Sequence, residues 1–117
     1  MKMPISEIAD RYSITMLKNE RIENIDLSSE LEVYKKELEK YDGVDEYISR
    51  LYKVNGEIWD LESDIRKGKE NILGLEEVGR RAILIREKNK IRVGIKNQMV
   101  EVYEEGFKDI KMNHASV

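Results

Sequence analysis

The sequence predicts an all-α protein of four helices, arranged as an antiparallel bundle or as long helical hairpins. The 117 residues include a single proline, and 38% of them are charged, which is a composition typical of helical chains. Apolar residues recur at three- and four-residue steps through four segments that turn signals separate. This length suits one domain with a core of its own. We therefore expect one helical domain over residues 1–106, followed by a tail over 107–117 that is either docked or disordered.

The cellular compartment is predicted from what the composition lacks. The chain has no cysteine, which excludes disulfides and zinc-thiolate sites and fits a reducing cytosol. No apolar run approaches the roughly 20 residues that a membrane span needs. The first twelve residues, MKMPISEIADRY, lack the apolar core of a secretion signal. We expect a cytoplasmic protein that does not enter a membrane.

The first helix is predicted over about residues 6–22. Ser6 can cap it, Glu7 and Asp10 lie in its first turns, and Lys18 and Arg21 lie near its end. Each charge is then on the end that the helix dipole favours. One apolar face follows from the spacing of Ile5, Ile8, Tyr12, Thr15, Met16 and Ile22.

The second helix is predicted over about residues 29–41. It opens with Ser29-x-x-Glu32, the pattern of a capping box. The pair Asp42-Gly43 then predicts a stop, because glycine can adopt the left-handed conformation that ends many helices.

Two long helices are predicted over about 45–69 and 76–105, joined by a loop around residues 71–75. They would extend roughly 37 and 45 Å at 1.5 Å per residue, more than a compact domain of this size needs. Part of their apolar surface is therefore expected to meet a second copy, which predicts a homodimer. The predicted inward stripe of the last helix consists of Val78, Ala82, Ile85, Asn89, Val93, Lys96, Met99 or Val100, and Tyr103.

Polar residues interrupt the apolar stripes of both long helices. Asn55 and Glu62 lie seven residues apart on one stripe, and Asn89 and Lys96 lie seven apart on the other. Antiparallel packing would bring Asn55 toward Lys96 and Glu62 toward Asn89. Because unpaired polar groups are costly to bury, they should bond to each other, to water or to a ligand. They form either a network that fixes helix register or a polar pocket between helices.

Carboxylate pairs are the nearest approach to a catalytic pattern. Glu7 and Asp10 share a helical face, as do Glu57 and Asp60, and Glu62 adds a further acid. Two helices offering such pairs could hold Mg²⁺, which prefers oxygen ligands and can activate water against a phosphate ester. We predict that the protein has no cofactor. The alternative is that it binds Mg²⁺ and hydrolyses a nucleotide or sugar phosphate.

Charge is distributed unevenly along the chain. Residues 23–46 hold nine acids against three lysines, a net charge of −6, whereas residues 79–97 hold seven cations against one glutamate, a net charge of +6. Either the two segments lie beside each other, within one chain or across a dimer, or the basic helix at 80–96 faces an anionic partner. Nucleic-acid binding is not favoured, because no aromatic residues interleave the cations.

Several motifs resemble those of a family of small bacterial and phage proteins that carry a domain of unknown function. They are SEIADR at 6–11, LKNERI at 17–22, VNGEIWDLE at 54–62, Ile65-Arg66, and residues 89–96; from Glu105 onward the chain departs from the family. Some family members are encoded near glycosyltransferase genes. The resemblance implies a helical fold and no particular reaction. Within its motifs fall the candidate residues for a polar pocket between helices, namely Lys18, Arg21, Asn55, Glu62, Asn89, Arg92 and Lys96.

The function predicted first is that of a non-enzymatic interaction or accessory module, which acts on a protein partner through its helix surfaces. The magnesium-dependent hydrolase is the alternative, with Glu7, Asp10, Glu57, Asp60 and Glu62 as candidate ligands. It resembles only loosely the all-α nucleotide pyrophosphohydrolases, whose Glu-x-x-Glu motif this chain lacks in both acid pairs. Binding of an anion or nucleic acid by the basic helix is the third possibility.

Overall fold

The fold is all-α, as predicted. A computed structural model describes residues 3–68 and 70–104, and in this part of the chain there is no β-strand. Every long helix begins one residue before its predicted start and ends one to three residues before its predicted end. A short helix occupies the position of the loop predicted at 71–75. The helices are α1 (Ile5–Arg21), α2 (Ser28–Leu38), α3 (Val44–Arg66), α4 (Glu70–Leu73) and α5 (Leu75–Tyr103).

The start of α1 differs from the predicted cap at Ser6. Pro4 occupies the N-cap position, and its carbonyl accepts the backbone N–H groups of Glu7 at 3.0 Å and Ile8 at 3.1 Å. Ser6 lies inside the first turn and is buried. The capping prediction was wrong because proline has a fixed φ that suits the residue at a helix start, so the helix begins directly after it.

The capping box predicted at Ser29 and Glu32 is also wrong. The chain enters α2 one residue earlier, and Asp26 accepts the Ser28 N–H at 3.0 Å through Oδ1. Asn19 of α1 accepts the Leu27 N–H at 2.9 Å. Ile22, which was predicted on the apolar face of the first helix, lies just past its end and is exposed. Two side-chain acceptors from the preceding residues therefore hold the α1–α2 connection.

The turn predicted at Asp42-Gly43 is confirmed, and it is tied to the end of α5. Gly43 has a φ of +75°, the left-handed conformation that glycine adopts at little cost. The hydroxyl of Tyr103 donates to the carbonyl of Asp42 at 2.8 Å. The ring of Tyr103 also packs edge-on against Tyr41 and Tyr47, with centroids 5.3 and 6.0 Å apart. These contacts join the α2–α3 turn to the last turn of α5.

Helices α3 and α5 form an antiparallel hairpin. Contacts along it join Arg50 to Gln98, Glu57 to Lys88, and Asp64 to Arg81. Residue numbers thus increase along α3 in the direction in which they decrease along α5. The antiparallel packing predicted for the two long helices is confirmed.

Helix α1 crosses this hairpin and contacts α2, α3 and α5. Its contacts through Asp10, Glu20 and Arg21 all fall on the short segment of α3 between Tyr52 and Asp60, without advancing steadily along it. The two helices therefore cross rather than lie side by side. The core lies at the crossing and consists mainly of Ile5, Ile8, Ala9, Tyr34, Leu38, Val44, Leu51, Val54, Ile58, Ile95 and Met99.

The body is flat and extended. Its principal dimensions are 46 × 41 × 21 Å, so its thinnest direction is about two helix diameters. The radius of gyration is 16.0 Å, compared with roughly 13 Å for a compact domain of this length. A flat arrangement of this kind leaves a large share of helix surface without a neighbour.

Candidate functional site

Asp10 is the centre of a buried polar network at the crossing of α1, α3 and α5. Its side chain is only 2% exposed, and both of its oxygens bind the guanidinium of Arg92, at 3.0 Å from Nε and 2.5 Å from Nη2. Asn55 of α3 donates through Nδ2 to the same carboxylate at 3.0 Å and to Ser13 Oγ at 2.8 Å. Ser13 in turn donates to the Asp10 carbonyl. The network therefore joins three helices through one carboxylate.

The surroundings of Asp10 favour its ionised form. Burial acts to raise its pKa, but the hydrogen bonds from Arg92 and Asn55 and the positive charges of Arg92 and Lys96 act against it. The net result is a pKa below the ordinary value of an aspartate. Asp10 is thus the anion of a structural ion pair, with little tendency to take up a proton near neutral pH.

A second ion pair lies one turn away. Lys96 Nζ is 2.6 Å from Glu7 Oε1, and the Lys96 side chain is 15% exposed. Asn89 accepts a long hydrogen bond of 3.5 Å from Arg92. Four of the predicted pocket residues, Asn55, Asn89, Arg92 and Lys96, therefore gather on one side of the hairpin. The space between them is filled by α1 itself, which brings Asp10, Ser13 and Glu7.

The predicted pairing across the long helices was wrong by about one helical turn. Asn55 is buried as predicted, but its partners are Asp10 and Ser13 rather than Lys96. Glu62 does not meet Asn89; its side chain is 39% exposed and lies 4.0 Å from Arg66 on its own helix. Seven residues, the separation of Asn55 and Glu62, fall about 20° short of two full turns of an α-helix, so the two side chains do not point in the same direction. Glu62 also lies beyond the residues of α3 that α1 reaches, so nothing from α1 covers it.

The five acids predicted as metal ligands do not come together. Each has a cation beside it: Glu7 has Lys96, Asp10 has Arg92, Glu57 has Lys88, Asp60 has Arg21, and Glu62 has Arg66. Within the described ranges, no three acidic or histidine side chains are close enough to hold a metal ion. The donor arrangement therefore gives Mg²⁺ no set of free carboxylates, and magnesium binding stays a prediction of the sequence.

The cations of the basic helix pair with acids outside the acidic segment. Arg81 binds Asp64 and Glu77, and Arg80 also binds Glu77. Hydrogen bonds from Arg80 and then Arg81 lower the pKa of Glu77 to about 2. Lys88, Arg92 and Lys96 reach α3 and α1. The prediction that the acidic segment 23–46 lies beside this helix within one chain is therefore wrong for these pairs. Pairing of the two segments across a dimer and binding of an anionic partner stay predictions.

Trp59 is flanked by two arginines. The guanidinium carbon of Arg66 lies 4.6 Å from the centre of its ring, and that of Arg21 lies 5.9 Å away. Both distances are within the range of cation–π attraction. Arg21 also binds Asp60 at 2.6 Å, whereas Lys18, one turn before it, is exposed. The remaining two predicted pocket residues thus lie at the rim of the site, at the end of α1.

Beyond the end of α1, one side of the hairpin is only partly covered. None of the described side chains from Trp59 to Gly94 is fully buried, and all the buried residues of α5 fall between Ile95 and Val100. We call this side the open face. It continues the surface that α1 covers farther down, and its lining residues are Trp59 and Glu62 of α3 and Val78, Ala82, Ile85 and Asn89 of α5.

The predicted inward stripe of α5 is confirmed at Met99 and Val100 but is wrong at Ala82, and it missed the buried Ile95 and Asn97. Ala82 lies fourteen residues before Lys96, and hence on the same side of the helix, yet it is exposed. Val78, Ile85 and Asn89 are half-buried. Helical spacing alone identified Val78, Ile85 and Asn89. The buried Ser13 was missed, although its position three residues after Asp10 places both on one helical face and could have indicated it.

No family model matches the sequence, and comparisons with curated proteins and with solved structures find no match. The family resemblance described above therefore stays a prediction. Among the described helices, none combines the length and the apolar character needed to cross a lipid bilayer.

Proposed function

We propose that the protein is a non-enzymatic interaction module that works as a homodimer in the cytoplasm and binds a protein partner. The observation that carries the proposal is the open face. It is a helical surface with apolar side chains at three- and four-residue steps that the described chain covers only in part: Ala82 is exposed, and Val78 and Ile85 are half-buried. A pair of helices with one side only partly buried gains little stability from packing on that side. A further layer of helices packed there would add this stability.

The shape of the open face suits a helix. Farther down the same hairpin, α1 contacts both α3 and α5, and its Asp10 and Ser13 accept hydrogen bonds from the buried Asn55. A second hairpin, packed against the first through its own open face, would extend that layer and complete a four-helix bundle. Two copies related by a two-fold axis would each cover the face that the other leaves exposed.

The composition of the face also suits self-association. Trp59 and Arg66 belong to the residue types that contribute most binding energy in protein interfaces. Glu62 on the face and Arg66, which borders it over the Trp59 ring, supply one charge of each sign, so two copies would not repel each other. Ile22, which follows Arg21 at the end of α1, is exposed and would add apolar area at the edge.

The proposal is tested with two matched substitutions on α5. Ala82→Glu places a charge on the open face at an exposed position, so the monomer should fold normally. Gly94→Glu places the same side chain about 120° around α5 from Ala82, at an exposed position where a Cβ meets nothing within 4 Å. Light scattering should give roughly 28 kDa, twice the 13.8 kDa of one chain, for the natural protein and for Gly94→Glu.

Ala82→Glu should give a mass near 13.8 kDa. A natural protein of that mass at high micromolar concentration would refute the dimer. A dimer that Gly94→Glu breaks and Ala82→Glu leaves intact would place the contact on a different side of the hairpin. The magnesium-dependent hydrolase takes second place, because its candidate ligands are each engaged by a cation.

A further inference from the structure

A small apolar groove lies where α1, α2 and the start of α3 meet, away from the open face. Its floor consists of Tyr12, Leu38, Val44 and Ile48, of which Leu38 and Val44 are buried and the other two are half-buried. The volume is about 210 Å³. Pockets that hold small-molecule ligands are usually larger, at about 300–1,000 Å³. A cavity of about 150 Å³ already holds one benzene molecule, so this groove has room for a single aromatic side chain.

The rim of the groove is polar and carries a net negative charge. Glu39 and Asp45 are exposed at its edge, and Lys35 is the one cation of the lining. Five of its seven lining residues belong to the acidic segment 23–46, whose net charge is −6. The pKa of Tyr103, at the adjoining turn, is raised by burial and also by Tyr47 and the charges of Asp42 and Glu46.

Within the described residues, the ion pairs formed by the basic side chains of α5 do not involve acids of this segment. Arg81, Lys88, Arg92 and Lys96 bind acids of α1, α3 and α5 instead. A pair between Lys40 and Glu37 is formed inside the acidic segment itself. The rim of the groove thus carries the carboxylates of Glu39 and Asp45 against the single cation of Lys35, a net charge of −1 that faces a partner.

We infer that this groove binds an aromatic side chain presented by a basic helical segment of another protein. The aromatic ring would fill the apolar floor, and lysines or arginines on either side of it would face Glu39 and Asp45. Such a segment is the complement of the groove in both size and charge, and opposite charges at the rim would speed association and orient the segment. The inference involves a different surface from the open face and does not depend on the dimer.

The test uses two synthetic helical peptides that carry lysines on one side and are labelled with fluorescein. The first has one phenylalanine among leucines on its apolar side, and the second has alanine in its place. Fluorescence anisotropy should show that the full chain binds the first peptide about tenfold more tightly than the second. The double variant Glu39→Lys and Asp45→Lys should weaken binding of the first by about tenfold or more.

The matched control is Glu76→Lys with Glu87→Lys, which changes the net charge equally at exposed positions of α5. This control should change the dissociation constant for the first peptide by less than about twofold relative to the natural protein. Circular dichroism should show that all the variants keep the natural helix content. Equal weakening by the two double variants would mean non-specific attraction and would overturn the inference, as would no binding at millimolar peptide. Much tighter binding by a chain shortened to end at Glu104 would show that residues 105–117 occupy the groove, which would also overturn it.

Discussion

Asp10→Ala is the substitution from which the account of the fold predicts the largest loss. It removes the only carboxylate of the network and leaves the guanidinium of Arg92 without its bidentate partner. It also removes one of the two acceptors of the buried Asn55 amide. Breaking a buried ion pair by deleting one partner costs about 3–5 kcal/mol, because the remaining charge is left uncompensated.

The expected magnitude lies at the lower end of that range. The Arg92 side chain is 31% exposed, so water can partly replace the lost carboxylate. Asn55 keeps its hydrogen bond to Ser13. We therefore expect the free energy of unfolding to fall by about 3 kcal/mol, equivalent to roughly 12 °C in melting temperature for a domain of this size.

Urea denaturation at neutral pH measures this loss, with circular dichroism as the signal. The matched control is Glu7→Ala, which removes a more exposed acid of the same helix and its pair with Lys96. The control should cost at most about 1 kcal/mol. The reasoning is refuted if Asp10→Ala costs less than about 1 kcal/mol or no more than Glu7→Ala. A change in the slope with urea would instead indicate an altered unfolded or native state.

Four further outcomes follow from the same structure. Because folding lowers the pKa of Asp10, its carboxylate contributes fully to the free energy of unfolding above its ordinary pKa near 3.8, and this contribution is lost as the pH falls through the folded-state pKa. Urea titrations should therefore show that the natural protein and Asp10→Ala differ in free energy of unfolding by a constant amount at higher pH, and that this difference narrows only below about pH 4. Glu62→Ala should cost less than about 0.5 kcal/mol in the same assay, and a loss of 2 kcal/mol or more would restore the predicted inward position. Gly43→Ala should cost about 1–2 kcal/mol, since alanine is strained at a φ of +75°, and an unchanged urea midpoint would contradict this. Millimolar Mg²⁺ should not raise the melting temperature, whereas a rise that Glu57→Gln abolishes would support the hydrolase.

Local patterns in the sequence were sufficient to predict the helices and the direction of their faces. Asn55 was expected inside because it falls on a stripe of apolar residues, and it is buried. Gly43 was expected at a stop and has the left-handed conformation. Both predictions depend only on residues within a few positions along the chain. Helix starts were less predictable, since Pro4 displaced the expected cap at Ser6.

The partners of the polar residues could not be predicted in the same way. Asp10 and Arg92 are separated by 82 positions in the sequence, and their contact depends on where α1 crosses the hairpin. A shift of one turn between α3 and α5 would have left every apolar face inward but changed each polar pair. For the same reason, the inward position predicted for Ala82 was wrong: Ala82 is exposed, because α1 does not extend along the hairpin as far as this residue.

The central claim is that a second copy covers the open face, and thiol accessibility tests it most directly. The natural chain has no cysteine, so Ala82→Cys and Gly94→Cys each introduce a single thiol at an exposed position of α5. The reaction rate of a maleimide with each thiol is measured from nanomolar to high micromolar protein, since thiol reactivity follows exposure. The account predicts that the thiol at 82 becomes protected as concentration rises, whereas the thiol at 94 reacts at a constant rate. Equal and constant rates at both positions would contradict it.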